Sequence, residues 1–271
     1  PQTPNPKPLK YKTYFVKPMK FYYLSNNTKP IMTEYPIFKS FTFELIGAFA
    51  LSYCAYFPKT EPDPEVKLLE NQLIRPLIGQ MLLWMGLIWI SYRASGSQFT
   101  PAISVSMLAS GNLSLTNFFV NLAGQLVGIF LGIISLKFTL TKYDPHFNVN
   151  FNFLLSIFVE FLFGFFVCLA YHCTAISKTA DKSVYGFVVP ATFVSMTMSL
   201  SIFYFSAFSV FTYAVEVLFS PKPFSHLLWF SIGSFGGAAV AGLFYRFLLE
   251  NENDKEIAND YVLNEENDIK F

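Results

Sequence analysis

Long apolar runs alternate with short polar ones along most of this chain. Six runs, each about 17 to 23 residues, are long enough to cross a hydrocarbon core. They are Ser40–Phe57, Pro76–Tyr92, Asn117–Leu136, Phe151–Cys173, Val184–Tyr204 and Leu227–Leu249. Two further apolar segments, Thr100–Ser110 and Thr212–Ser220, are too short to cross. Each follows one span and precedes another, which is the pattern of a half-helix that enters and leaves the bilayer on the same side. Irregular backbone at that depth is tolerated only where protein or a water-filled cavity surrounds it. The predicted fold class is all-α: a polytopic membrane protein of six transmembrane helices plus two re-entrant half-helices.

The pattern repeats. Glu44 lies in Phe43-Glu44-Leu45-Ile46-Gly47, and Glu160 lies in Val159-Glu160-Phe161-Leu162-Phe163-Gly164. Thr100-Pro101-Ala102 begins 56 residues after the first glutamate, and Thr212-Tyr213-Ala214 begins 52 after the second. Gly124 and Gly128 follow in one half, Gly233 and Gly237 in the other. Three spans per half is an odd number, so the halves must be inverted relative to each other, as in many transport proteins. The expected organisation is a basic, aromatic-rich tail over 1–35, a membrane domain over 36–249 with repeats at about 40–138 and 151–249, and an acidic tail over 250–271.

Composition narrows the class. The chain is 53% hydrophobic and only 14% charged, too little charge for a soluble surface of this size. A net charge of +1 suggests no nucleic-acid partner. Lys59, Lys67, Arg75, Lys137, Lys142 and Lys222 fall on one side of the expected topology, and the other cations fall on the side of the termini. The positive-inside rule then puts both termini in the cytoplasm, or in the matrix for a mitochondrial inner membrane. The N-terminal tail has lysines but no arginine, unlike most organellar transit sequences, and no apolar core of a secretory signal.

Little suggests catalysis. Cys54, Cys168 and Cys173 are odd in number and lack metal-ligand spacing, so neither a disulfide framework nor a zinc site is expected. His146, His172 and His226 are scattered near predicted helix ends and read as interfacial. There is no nucleotide-binding glycine loop and no Ser-His-Asp set, so no enzyme activity and no cofactor are expected. Glu44, Glu160 and Glu216 are the acids within the apolar regions. An unpaired charge there costs about 2.5 to 3.5 kcal/mol on insertion scales, so each should be paired or protonated.

These residues resemble the aquaporin and glycerol-channel superfamily over roughly 38–249. Ser95-Gly96-Ser97-Gln98-Phe99-Thr100-Pro101-Ala102 is similar to the family's Ser-Gly-x-His-x-Asn-Pro-Ala. Ser110-Gly111-Asn112-Leu113-Ser114 looks like the turn after its first half-helix, and Gly124-Gln125-Leu126-Val127-Gly128 resembles its Ala-Gln-Leu-x-Gly. Trp229 and the glycines from Gly233 to Gly242 resemble its sixth helix. Glu44 and Glu160 match the glutamates of its first and fourth helices. The resemblance implies that they are structural acids accepting hydrogen bonds from the re-entrant loops.

The departures fall where the family contacts its permeant. Thr100 and Thr212 stand for the two asparagines, Tyr213 for the second proline, and Val215 for the filter arginine, while Ala102 and Ala214 are kept. Ser206-Ala207-Phe208-Ser209-Val210-Phe211 replaces the glycine-rich approach to the second motif. Thr100 can still cap a helix with its hydroxyl, and Pro101 suits a first helical position. Half-helices meeting head-on present positive ends that oppose cations. Val215, with Gln80 and Leu200 placed by spacing and Ser209 in the approach, would make a largely apolar constriction, which gates by dewetting. Tyr213 either fills the junction or leans into the path. Glu216 sits near the start of the second half-helix, where a negative charge suits the dipole.

Two functions remain open. One is a divergent channel for water or a small neutral solute. The other is a pore-inactive structural subunit of a larger membrane complex that keeps the fold. The partners expected are the lipid bilayer, other protein subunits holding the tails (Tyr11 to Tyr23 alternates lysine with aromatics, which suits headgroups or a protein groove), and, as the resemblance implies, three further copies in a homotetramer.

Overall fold

The computed structural model describes residues 35–54, 69–139, 153–177, 184–200 and 225–249. The two tails, the segment Thr212–Ser220 and Glu216 lie outside them. The described residues are almost wholly helical: α1 (Ile37–Cys54), α2 (Leu69–Ser95), α3 (Pro101–Ala109), α4 (Leu115–Thr139), α5 (Phe153–Tyr171), α6 (Tyr185–Leu200) and α7 (Ser225–Phe244). Both α5 and α7 widen at their ends into a π-helical turn, over His172–Ile176 and Tyr245–Leu249. Among the described residues, five helices are long and apolar enough to cross a membrane. The shorter α6 is apolar too and carries Pro190 within it. α2 runs beyond the expected Pro76–Tyr92 at both ends, reaching Leu69 and Ser95.

The pattern of burial is that of a bundle in lipid. Phe38, Trp89, Ile90, Phe138 and Leu154 are exposed, while Ser40, Glu44, Gln98, Asn121 and Gln125 are buried. Water would not tolerate so apolar a surface, and hydrocarbon would not tolerate those polar groups outside.

Two glycine seams hold the walls together. On α4, a Cβ at Gly124 would stand 2.6 Å from the Phe41 carbonyl oxygen, and one at Gly128 would overlap that of Leu45. On α7, a Cβ at Gly233 would stand 2.5 Å from the Ile157 oxygen, and one at Gly237 would overlap that of Phe161. Phe41 and Ile157, Leu45 and Phe161, and Glu44 and Glu160 are each 116 positions apart. The repeat read from the sequence is therefore a repeat of backbone contact: α1 lies on α4 as α5 lies on α7. Small residues allow such approach, and close van der Waals packing is what associates helices in lipid.

The half-helix α3 has nine residues, about 14 Å, roughly half a bilayer core. Its start is fixed by Thr100, whose hydroxyl accepts from the Ile103 N–H, and by Pro101 at the first position. Its end is a Schellman turn. Gly111 has φ 79°, its N–H donates to the Leu108 carbonyl, and that of Asn112 donates to Met107, both at 3.0 Å. Gly242 of α7 leaves room for the Ser106 carbonyl, so α3 is seated against the last helix of the other repeat.

Replacing Gly128 by valine forces its side chain into the Leu45 carbonyl and should cost about 1 to 3 kcal/mol. Gly86→Ala, where a Cβ meets nothing, should leave the melting temperature in detergent unchanged or raise it. Thermal unfolding of both variants, followed by size-exclusion of the detergent-solubilised protein, checks the contrast.

Candidate functional site

The link between α2 and α3, residues 96–100, is irregular backbone inside the bundle, and its polar groups need partners. Glu44, fully buried on α1, supplies them. Oε1 accepts from Ser95 Oγ at 2.6 Å and from the Gln98 N–H at 2.9 Å. Oε2 accepts from the Phe99 N–H at 2.6 Å and from Gln125 Nε2 of α4 at 2.8 Å. Ser104 Oγ extends the network, donating to Gln98 Oε1 at 2.6 Å and accepting from Gln125 Nε2 at 2.9 Å. A buried carboxylate holding four donors stays tolerable in hydrocarbon, where a bare one is not.

The loop is bent to meet this acceptor. Ser97 and Phe99 have φ 56° and 54°, a region that side-chain-bearing residues seldom occupy. The Thr100 N–H closes onto the Gln98 carbonyl at 2.7 Å, a three-residue turn centred on Phe99. The Phe99 ring fills the space that a Cβ on Gly47 would need, so Gly47 makes room for this turn. Such strain persists only where the surroundings over-determine it.

On the opposite side of the loop the carbonyls of Gly96 and Ser97 face α5 and α6. There they meet two phenols. Tyr171 Oη donates to the Gly96 oxygen at 2.8 Å. Tyr185 Oη reaches the same oxygen at 2.9 Å and that of Ser97 at 3.3 Å. Both tyrosines are buried, with ring centroids 5.4 Å apart and perpendicular. Tyr92 lies against Tyr185 at 5.1 Å, and Tyr35 brings a third hydroxyl close to Gly96.

No protein-family model matches the chain. Over 263 residues it is 25% identical to Aquaporin A of Dictyostelium discoideum, covering 91% of each sequence. In three dimensions it superposes on the X-ray structure of the aquaglyceroporin from Plasmodium falciparum with a TM-score of 0.60. That match covers 81% of this chain and 99% of the other at 16% identity, and it shows the fold. The chain is similar in sequence to an aquaporin over nearly its whole length and has an aquaporin-like fold.

Within this aquaporin-like frame, Thr100, Pro101 and Ala102 are buried at the start of α3. Thr212, Tyr213 and Ala214 lie outside the described residues, as do Ser209 and Val215. Of the expected constriction, Gln80 is half-buried on α2, and Leu200 ends the described part of α6 with its side chain undescribed. Glu160 is buried on α5 with its Cβ 3.0 Å from where a Cβ on Gly233 would stand, as Glu44 lies 3.4 Å from that of Gly124. The loop expected to meet Glu160, 206–211, is outside the described residues.

One reading is corrected. His172, expected at the interface, is fully buried, with Nε2 2.8 Å from Ser106 Oγ of α3 and its ring stacked on Tyr245 at 4.9 Å. The π-turn that begins at His172 places the ring against α3 instead of at the helix rim. No motif marks Tyr171 or Tyr185. The one available signal is that both flank the connection between α5 and α6, a tyrosine closing one helix and another opening the next.

Glu44→Ala strips an acceptor from two backbone N–H groups and two side chains in a water-free interior. The expected loss is about 3 to 5 kcal/mol, seen as failure to recover monodisperse protein or as a large fall in melting temperature. Glu44→Gln should be intermediate, since one acceptor oxygen remains.

Proposed function

We propose that this aquaporin relative is a channel for water or a small neutral solute, closed in the described conformation by Tyr171 and Tyr185. The observation that carries this reading is the pair of phenol hydroxyls on the Gly96 oxygen at 2.8 and 2.9 Å. Selectivity in such a path depends on its width and on the donors and acceptors that line it. A carbonyl that already holds two phenols offers nothing to a passing molecule, and the rings take up its space.

Magnitudes support a gate over a permanent seal. Each hydrogen bond contributes a net stabilisation of about 0.5 to 1.5 kcal/mol. The pair thus favours the closed arrangement by about 1 to 3 kcal/mol, roughly 5- to 150-fold in population. The positive end of α3 faces the same region and disfavours cations, which suits a neutral permeant. Both termini are proposed to lie on the cytoplasmic or matrix side, and the resemblance favours a tetramer in the bilayer.

A second reading, a structural subunit that passes nothing, is favoured by Thr100. Its hydroxyl oxygen, at the position of a permeant-contacting asparagine, is engaged with the Ile103 N–H of its own helix.

Stopped-flow light scattering on proteoliposomes separates the two. Tyr171→Phe combined with Tyr185→Phe keeps both rings and removes both hydroxyls. The channel reading expects water or glycerol permeability to rise several-fold over the unmodified protein. If neither form exceeds empty vesicles, the channel reading fails and the structural one stands.

A further inference from the structure

Two π-helical turns interrupt the regular geometry of the described helices, and the residues that open them touch each other. His172 begins one at the end of α5, and Tyr245 begins the other at the end of α7. Their rings stack with centroids 4.9 Å apart and planes within 16°. Such turns are rare, and they recur at functional sites. The one at His172 closes with the Ser177 N–H on the His172 carbonyl at 2.9 Å, five residues back.

This turn reconciles three anchors. Tyr171, the residue before it, holds the Gly96 oxygen at 2.8 Å. His172 reaches Ser106 Oγ of α3 through Nε2 at 2.8 Å. Ala175, inside the turn, receives Tyr92 Oη of α2 on its carbonyl at 3.2 Å. Successive α-helical residues point about 100° apart. Reverting the turn to α-helix would therefore rotate Ala175, and the chain leading on to Tyr185, by about that angle relative to Tyr171. What holds the turn is the ring at its start. His172 is fully buried, and its Nδ1 finds no partner among the described residues, so the polar hold on the ring is the Ser106 hydroxyl. Ser106 is itself seated, because Gly242 of α7 leaves room for its carbonyl.

We propose that His172 is a positioning residue for the Tyr171 phenol. Held by Ser106 and braced by Tyr245, it fixes the π-turn that follows Tyr171 and so keeps Oη on the Gly96 oxygen. This rests on the closure proposed above and adds the residue that sets it.

The test uses the full chain in lipid nanodiscs, with its tyrosines labelled with carbon-13 at the hydroxyl-bearing ring carbon and Tyr171 assigned through Tyr171→Phe. Ser106→Ala removes the hydroxyl and leaves the neighbouring imidazole in place, so a shift there is relayed and not a ring-current change. Ser106→Ala and His172→Leu should both move the Tyr171 signal toward that of a free phenol. His172→Gln, whose amide still reaches a hydroxyl, should return it most of the way. In proteoliposomes, Ser106→Ala and His172→Leu should raise water permeability about two- to tenfold, the worth of one hydrogen bond. A Tyr171 signal unmoved by Ser106→Ala overturns the proposal, and that variant decides alone if His172→Leu does not fold. A His172→Gln signal displaced as far as that of His172→Leu also overturns it, because the ring then acts by packing only. A displaced signal with no flux in any variant sustains the positioning role while sinking the channel reading.

Discussion

Every peptide group placed inside hydrocarbon needs a partner, and in this protein that demand converges on one carboxylate. Residues 96–100 must turn the chain inside the bundle with no helix to absorb their N–H groups. Glu44 receives two of those groups and ties them to Ser95 and to Gln125 of α4. The other side of the loop is held differently: the Gly96 carbonyl accepts from Tyr171 and Tyr185 on α5 and α6, while the N–H of the same peptide, that of Ser97, donates to Ser95 Oγ. The strained φ values of Ser97 and Phe99 belong to the same arrangement, since the backbone adopts them to bring successive N–H groups to one acceptor.

The twofold plan of the molecule follows equally simple rules. Lipid offers helices no hydrophobic reason to associate, so contact area must come from close approach. Glycines at matching positions of α4 and α7 provide it against α1 and α5. The two halves have otherwise diverged. Gly47 of α1, which makes room for the Phe99 ring, corresponds to Phe163 of α5, whose ring occupies the interior itself.

The fold was legible because its signals are lengths and spacings. Apolar runs reveal spans, two runs too short to span suggest half-helices, and the offset of 116 between Glu44 and Glu160 exposes the repeat. The start of α3 was legible too, because Thr100-Pro101 combines a capping oxygen with a residue that has no N–H to lose. The interior was not. A soluble helix shows its buried face by contrast with polar residues, but a helix in lipid is apolar all round. Tyr171, Tyr185, Trp84 and His172 look no different in sequence from the aromatics facing lipid. Which ring turns inward depends on helix rotation, and for His172 on a π-turn that no spacing announces.

The glycine seams also bear on how the molecule can deform. Where backbone rests on backbone there is no side-chain slack to absorb sliding, so α1 with α4 and α5 with α7 form two stiff staves. α6 has no such seam among the described residues, and Pro190 removes one rung of its hydrogen-bond ladder. Tyr185 rides at the head of that helix. Compliance is therefore concentrated in the element that carries one of the two phenols on Gly96, and a tilt of α6 alone would draw Tyr185 aside while the two glycine seams stayed rigid.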